Sequence, residues 1–107
     1  METRPLGPSG LAITPVGVGA WAIGGTGWRL GWGPQDDAAS AATIERALEL
    51  GANWIDTAPV YGLGHSEEVI GRALAGLPAA RRPLVFTKCS RVWGDDGVTR
   101  GELAPAS

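Results

Sequence analysis

The sequence alternates short apolar runs with segments whose apolar residues recur at helical spacing, and this alternation restricts the fold more than any other feature. Apolar runs at 16–24, 54–55 and 84–87 are typical of strands, and helical patterns fill the two stretches between them. Strands that alternate with helices pair in parallel through right-handed crossovers. We therefore expect a β-α-β-α-β unit over residues 16–93, and the fold class is α/β.

Both helical segments carry start and stop signals. Asp36 and Asp37 offer an N-cap and favourable charge to the first turn of the first helix, and Gly51 follows its last periodic residue. Ser66 is predicted to cap the second helix, with acidic residues in the first turn. The apolar stripes expected to be buried are Ala41, Ile44, Ala47 and Leu48 in the first helix and Val69, Ile70, Ala73 and Leu74 in the second.

The segments that flank this unit carry less pattern. Residues 4–18 place apolar runs on either side of the turn residues Pro8-Ser9-Gly10, which predicts a β-hairpin before the first parallel strand. Residues 94–107 lose hydrophobic periodicity and are predicted to be loosely ordered. At 107 residues the chain holds at most one domain, spanning 1–107.

Composition argues against several classes of function. The net charge is −2 and the basic residues are scattered, so we expect neither a nucleic-acid partner nor an anionic membrane surface. No apolar run reaches the roughly 18 residues of a membrane span, and the N-terminus lacks the apolar core of a signal peptide. With one cysteine and one histidine, the chain is expected to have no metal site and a reducing, cytoplasmic location.

Polar side chains lie where two of the predicted strands end. Asp56 and Lys88 are 32 positions apart, one β-α unit, and each follows the carboxyl end of its strand. Such ends share one edge of a parallel sheet, where neighbouring strands are about 4.8 Å apart. Tyr61 lies five residues beyond Asp56 in the loop above that edge. Parallel α/β folds place ligands and catalysis there, so these three residues form a candidate site.

Each of the three also has a purely structural interpretation. Asp56 can close a turn with Thr57, and Lys88 can end a strand with its ammonium group in water. Tyr61 can be an ordinary loop aromatic with an exposed hydroxyl. Convergence on one edge favours a functional site, although structural ion pairs also occur at such places.

Other features give weaker signals. Residues 17–22 match the GxGxxG/A dinucleotide fingerprint, but the following loop lacks the helical pattern that this motif requires. His65 is expected to be solvated in its glycine-flanked loop, and Cys89 is expected to be a small buried residue. Trp28 and Trp32 either line an apolar substrate pocket or pack against the glycine-rich loop.

The stretch GANWIDTAPVYGLGHSEEVIGRAL, residues 51–74, resembles the signature of the aldo-keto reductases, with Asp-Thr-Ala, Tyr-Gly and Ser-Glu in the expected order. RPLGPSGLAITPVGVGAWAIGG, residues 4–25, is similar to the opening hairpin and first strand of that family, and LVFTKC, residues 84–89, to its third strand. The resemblance implies the N-terminal part of a (β/α)8 barrel. About three β-α units would follow the hairpin, and the barrel would not be closed.

The resemblance implies a role for each residue of the candidate site. Tyr61 would be the general acid that protonates the carbonyl oxygen of the substrate. Lys88 would stabilise the phenolate form of Tyr61, because a neighbouring cation favours the charged form. Asp56 would hold Lys88 in place and keep it charged.

The resemblance also implies NADP(H) as cofactor and a small carbonyl compound as substrate. Gly19, Ala20 and Trp21 match the end of the first strand, which lies near the nicotinamide in this family, and Asp56 would lie near the ribose. The implied reaction is the reduction of an aldehyde or ketone to an alcohol by hydride transfer.

The sequence departs from the family pattern at one catalytic position. The family takes its fourth catalytic residue, a histidine, and its pyrophosphate contacts from later strands, and His65 does not replace that histidine. We therefore expect a portion of a longer reductase that is inactive alone and is completed by self-association or by a complementing barrel segment. The alternative is a non-catalytic, reductase-like remnant that either binds a partner or has no function.

Overall fold

The computed structural model describes residues 1–103, in which short strands alternate with two α-helices. The elements are β1 (Arg4–Pro5), β2 (Ala12–Ile13), β3 (Val18–Gly19), α1 (Asp37–Glu49), β4 (Trp54–Asp56), α2 (His65–Ala75), β5 (Leu84–Phe86), β6 (Arg91–Trp93) and β7 (Thr99–Gly101). Short 3-10 helices lie at Trp21–Gly24 and Ala79–Arg81. Neither described α-helix has the length and hydropathy to cross a bilayer.

Three strands form an open parallel sheet in the order β3-β4-β5. Ile55 at the centre of the sheet pairs with Val18 on one side and with Val85 on the other. The helix α1 connects β3 to β4, and α2 connects β4 to β5, as the alternating pattern predicts. The hairpin predicted to precede the sheet is formed by the antiparallel strands β1 and β2.

The core lies between the sheet and its two helices. Ile44 of α1 and Ile55 of β4 are fully buried, and Val69 and Ile70 of α2 are 3% exposed. Burial of each such side chain contributes about 1.5–3 kcal/mol. The partly buried side chains that pack against this cluster are Val18, Leu48, Ala73 and Leu74. Both predicted apolar stripes therefore contribute to the core.

The ends of α1 follow the sequence signals. The carboxylate of Asp36 accepts a hydrogen bond from the backbone N–H of Ala38 at 3.0 Å, which satisfies a donor that has no partner within the helix. Beyond the other end, Gly51 has φ +101°, a left-handed conformation that favours glycine. The first turn and the terminating glycine are thus local features that the sequence determines.

The predicted cap of α2 is wrong. The helix begins at His65, and its N-cap is Gly64, with φ 100° and no side-chain cap hydrogen bond. Ser66 lies within the first turn, is fully buried, and its backbone N–H donates to the carbonyl of Tyr61. The tight turn before the helix moves the helix start towards the N-terminus, and this turns the Ser66 side chain towards the core.

The first parallel strand is shorter than the predicted run 16–24. Only Val18–Gly19 pair with β4, and the next residues form the 3-10 helix Trp21–Gly24. Ala20 donates its N–H to the carbonyl of Asp56 at 2.9 Å and then leaves the extended conformation, with φ −101° and ψ 12°. No α-helix begins here, so the dinucleotide fingerprint at 17–22 lacks its structural context.

The hairpin is attached to the sheet through Asn53 and Trp54. The backbone N–H of Thr14 donates to Asn53 Oδ1 at 2.9 Å, and Asn53 Nδ2 donates to the carbonyl of Ala12 at 3.0 Å. The indole Nε1 of Trp54 donates to the carbonyl of Thr14 at 2.8 Å. A Cβ placed on Gly17 would lie 2.2 Å from this indole, so the glycine provides the space in which Trp54 packs.

A second hairpin, β6–β7, extends into the region predicted to be loosely ordered, because β6 ends just before residue 94 and β7 lies within that region. The strands are antiparallel, with Val92 opposite Arg100. Residues 94–103 thus include one strand, β7, and residues 104–107 lie outside the described residues.

Local contacts of Asp96 account for this second hairpin. Its carboxylate accepts from the N–H of Val98 at 3.0 Å and pairs with Arg100 at 2.7 Å, and Gly97 provides a left-handed residue at φ +70°. The hydrogen bond from Val98, followed by the charge of Arg100, holds the pKa of Asp96 below its ordinary value of 3.8. Hydrophobic periodicity does not report such polar turn contacts, which explains the missed strand.

Candidate active site

Asp56 and Lys88 meet at the carboxyl edge of the parallel sheet, as the topology predicts. Asp56 is the last residue of β4 and pairs in register with Gly19 and Phe86. Lys88 follows β5 by two residues, and its Nζ donates to Asp56 Oδ1 at 2.9 Å. The two side chains are 48% and 44% exposed, so the pair lies open to a ligand on this edge.

The ammonium group of Lys88 has two further acceptors. It donates to the carbonyl of Thr57 at 2.8 Å and to Tyr61 Oη at 3.4 Å. Partial burial acts to lower the pKa of Lys88, but the hydrogen bonds to Asp56 and Tyr61 and the attraction of both groups outweigh it. The pKa of Lys88 therefore lies above its ordinary value of 10.5, and the side chain is charged at neutral pH.

Tyr61 is held by two indole rings. Its side chain is 8% exposed. Its ring centre lies 5.3 Å from that of Trp21 and 5.7 Å from that of Trp28, and the two indoles are 5.5 Å apart. Trp21 is itself fixed, because its Nε1 donates to the carbonyl of Leu30 at 2.8 Å. Trp28 thus packs against the site, whereas Trp32 is 80% exposed.

The loop that carries Tyr61 approaches the 3-10 helix backbone to backbone. Gly62 has φ +68°, and a Cβ placed there would lie 2.2 Å from the carbonyl oxygen of Gly24. A Cβ on Gly24 would in turn lie 2.6 Å from the backbone of Tyr61 and Gly62. Only glycine fits at both positions, and the close approach brings Tyr61 between the two indoles.

Ser66 connects the ends of two strands to α2. Its hydroxyl lies 2.9 Å from Thr57 Oγ1, and it donates to the carbonyl of Ala20 at 3.2 Å. Both Ser66 and Thr57 are at most 1% exposed. Because the Thr57 carbonyl also accepts from the Lys88 ammonium group, this buried network helps to hold Lys88 in place.

The residues expected to contact the cofactor lie at the same edge. Nothing lies within 4 Å of a Cβ placed on Gly19, so the strand end next to Asp56 offers open space for a flat ring. Ala20 is 1% exposed and its side chain faces the core, which leaves only its backbone near that space. Trp21 is half-buried against Tyr61. This edge therefore keeps an open space beside the residues expected to contact the cofactor.

Two other candidate residues lie in different surroundings. His65 is partly exposed, and its Nε2 lies 2.8 Å from Asp37 Oδ1, which connects the first turns of α1 and α2. Cys89, predicted to be buried, is exposed. The strand β5 ends at Phe86, and Ser90 has φ 86°, so the alternation of faces does not continue to Cys89. No group of three potential metal ligands occurs within residues 1–103.

Comparison with known proteins identifies the family. The aldo/keto reductase family model matches residues 15–106. This chain belongs to the aldo/keto reductase family. It is 37% identical over 100 residues to the aldo-keto reductase YhdN of Bacillus subtilis and 41% identical over 98 residues to the NADH-specific methylglyoxal reductase of Escherichia coli. These matches cover 94% and 91% of the chain, which spans 29% of the length of each relative.

Solved aldo/keto reductase structures share the fold of this chain. The glycerol dehydrogenase of Gluconobacter oxydans superposes with a TM-score of 0.67 and 42% identity, over 92% of this chain and 29% of that one. The aldo-keto reductase of Bacillus halodurans in its holo form gives a TM-score of 0.69 at 28% identity, over 88% and 28%. The fold is therefore the N-terminal part of a (β/α)8 barrel, preceded by a hairpin and not closed, as the resemblance implies.

Sequence reasoning missed the contributions of Thr57 and Ser66 to this aldo/keto reductase site and left that of Trp28 open. The Thr57 carbonyl, the Ser66 hydroxyl and the Trp28 ring each contact a candidate catalytic residue or its support. Thr57 and Ser66 lie within the signature stretch, which is the one signal that could have drawn attention to them. Their roles depend on the path of the loop between them, which no periodic pattern encodes.

Proposed function

We propose that these residues belong to an NADP(H)-dependent oxidoreductase that reduces aldehydes and ketones to alcohols. The observation that carries this proposal is the Lys88 ammonium group, which donates both to Asp56 and to Tyr61 Oη at the carboxyl edge of the sheet. Membership of the aldo/keto reductase family supports it. The Gluconobacter relative is named a glycerol dehydrogenase, and the Escherichia coli relative a methylglyoxal reductase.

Tyr61 is the general acid of the proposed reaction. A bound nicotinamide supplies the hydride that reaches the carbonyl carbon. Tyr61 Oη donates its proton to the carbonyl oxygen, which becomes the hydroxyl of the alcohol. Lys88, held by Asp56 and by the Thr57 carbonyl, stabilises the phenolate that remains. The indoles of Trp21 and Trp28 exclude water from one side of the phenol ring.

The proposed cofactor position follows from the open space at the end of β3. Gly19 and the backbone of Ala20 and Trp21 would hold the nicotinamide, which would supply the hydride, and Asp56 would accept a hydrogen bond from the ribose. One relative is named as NADH-specific, so NADPH and NADH have to be compared directly. We propose a preference for NADP(H) and a cytoplasmic location.

Because the chain spans 29% of the first two relatives, the proposed activity requires further barrel segments. They would come from a longer polypeptide, from a complementing segment or from self-association. A reductase-like remnant without activity is the competing function, and it has the same fold. Supplying the remaining barrel segments distinguishes a reductase from an inactive remnant, because only the reductase gains activity.

The test is a chimera in which residues 1–107 replace the matching part of YhdN from Bacillus subtilis. We expect reduction of 4-nitrobenzaldehyde with oxidation of NADPH. Tyr61→Phe should lower kcat by about 10²–10⁴-fold, the usual contribution of a general acid, while the Kd for NADPH is retained. Trp32→Phe, at an exposed aromatic position, is the matched control and should leave kcat unchanged.

Either of two results would contradict the proposal. If the Tyr61→Phe chimera turned over as fast as the chimera that retains Tyr61, then Tyr61 would not be the general acid. A folded chimera that binds NADPH but reduces no aldehyde would favour the remnant. Tighter binding and faster turnover with NADH than with NADPH would contradict only the proposed preference for NADP(H) and would leave the proposed reaction unchanged.

A further inference from the structure

A cavity of about 490 Å³ lies between the glycine-rich loop after the 3-10 helix and the β6–β7 hairpin. Its volume falls in the range of small-molecule sites, about 300–1,000 Å³. The described residues that line it are Trp28, Arg29, Leu30, Val60, Arg91, Gly97, Val98 and Thr99. The cavity depends on the second hairpin, which the hydrophobic pattern of the sequence did not predict.

The charge of the cavity is opposite in sign to that of the whole chain. Arg29 and Arg91 line it and none of the acidic residues in the described part of the chain does, although the chain carries a net charge of −2. Within residues 1–103 neither arginine forms an ion pair, whereas Arg46, Arg72 and Arg100 each pair with a carboxylate. Two guanidinium groups therefore remain available to a ligand.

Apart from Gly97 and Thr99, the remaining wall is apolar. Trp28, Leu30, Val60 and Val98 contribute rings and aliphatic groups, which suit the non-polar body of a small molecule. A Cβ on Gly101 would lie 3.8 Å from the Nη1 of Arg91, so the guanidinium lies beside Gly101 at the end of β7. Planar guanidinium groups bind carboxylate and phosphate oxygens through pairs of hydrogen bonds.

The cavity adjoins the candidate acid. Its wall includes Val60, the residue before Tyr61, and Trp28, whose ring centre is 5.7 Å from that of Tyr61. A molecule anchored at the arginines can extend along Trp28 towards the phenol. The position thus suits recognition of the part of a substrate that does not react.

We infer that Arg29 and Arg91 form an anion subsite that selects carbonyl substrates bearing a carboxylate or phosphate on an otherwise apolar body. This inference rests on the proposed reductase function, because it assigns the specificity of that site. The arginines bind the charged group and do not take part in proton or hydride transfer. They are specificity-determining residues.

The test is calorimetric binding to the purified 107-residue chain without cofactor. The probes are 4-formylbenzoate, phenyl phosphate and the uncharged methyl 4-formylbenzoate. We expect 4-formylbenzoate to bind at least about tenfold more tightly than its ester, since a hydrogen bond to a charged group contributes about 1.5–3 kcal/mol. Comparison with phenyl phosphate shows which anion the subsite prefers.

Arg29→Met and Arg91→Met should each weaken binding of 4-formylbenzoate by about tenfold and leave binding of the ester unchanged. Arg81→Met is the matched control, because Arg81 is exposed, forms no ion pair within the described residues and does not line this cavity. Arg91→Lys retains the charge and should restore part of the affinity. Near-ultraviolet circular dichroism checks that each variant keeps the wild-type packing.

Equal affinity for 4-formylbenzoate and its ester overturns the inference, and so does the absence of binding by any probe. Equal losses with Arg81→Met would also overturn it, because they would indicate a non-specific charge effect. The readout involves no cofactor and no turnover. Failure of the anion subsite is therefore distinguishable from failure of the proposed reaction, which the Tyr61→Phe chimera tests.

Discussion

Lys88 is charged and partly exposed, and its ammonium group donates to three acceptors. Its contribution to the free energy of unfolding therefore depends on pH. The pKa of Lys88 is raised above 10.5 in the folded chain. Its stabilising effect is therefore complete below about 10.5, the value in the unfolded chain, and is lost as pH rises through the folded value. Because both partners of the Asp56 pair are nearly half exposed, the effect should stay within about 1 kcal/mol.

We predict that Lys88→Met lowers the free energy of unfolding at pH 7 and 9 equally, and that its difference from wild type narrows at pH 11. Urea denaturation of the 107-residue chain measures this. Arg46→Met is the matched control, since Arg46 also forms an exposed ion pair but through a guanidinium group instead of an ammonium group. The raised pKa of Lys88 is contradicted if the difference in free energy of unfolding between Lys88→Met and wild type stays constant or grows with pH.

At the scale of elements, the first turn of α2 is joined to the strand ends by Ser66 rather than by a helix cap. We predict that Ser66→Ala lowers the free energy of unfolding by about 1–3 kcal/mol, because Thr57 Oγ1 and the Ala20 carbonyl lose a buried partner. Thr43→Ala, which removes an exposed hydroxyl from α1, should change it by less than about 0.5 kcal/mol. Equal costs for the two variants would show that burial of the network is not decisive.

At the scale of the whole molecule, the described sheet is open. In the order β3-β4-β5, each outer strand is paired on one side, and Val85 of β5 is 43% exposed. Such an edge favours pairing with another chain. We predict concentration-dependent self-association in sedimentation velocity, weakened by about tenfold in Val85→Lys, because an edge lysine opposes strand pairing.

Leu50→Lys is the matched control for association, because it introduces the same charge at an exposed apolar residue after α1. It should leave the association constant unchanged. A chain that remains monomeric at all concentrations contradicts the prediction, as does equal weakening by both variants.

Much of the site was accessible from the sequence because it follows from topology. Asp56 and Lys88 were placed on one edge by counting strands and helices, and the structure joins them at 2.9 Å. The position of Tyr61 above that edge follows from its place in the loop. The exposure of Cys89 and the position of Ser66 inside α2 were mispredicted. A shift of one or two residues in the end of β5 or in the start of α2 is enough to change the surroundings of these side chains.

The sequence by itself determined the α/β class, the parallel order of strands, the limits of α1 and the meeting of an acid with a lysine. These features arise from local periodicity and capping, which can be recognised in the amino-acid sequence itself. The tertiary structure decided how Tyr61 sits between two indoles, how Ser66 turns inward and how the second hairpin forms an arginine-lined cavity. Each of these depends on contacts between distant segments, such as the approach of Gly24 to Gly62, and therefore leaves no periodic signal in the sequence.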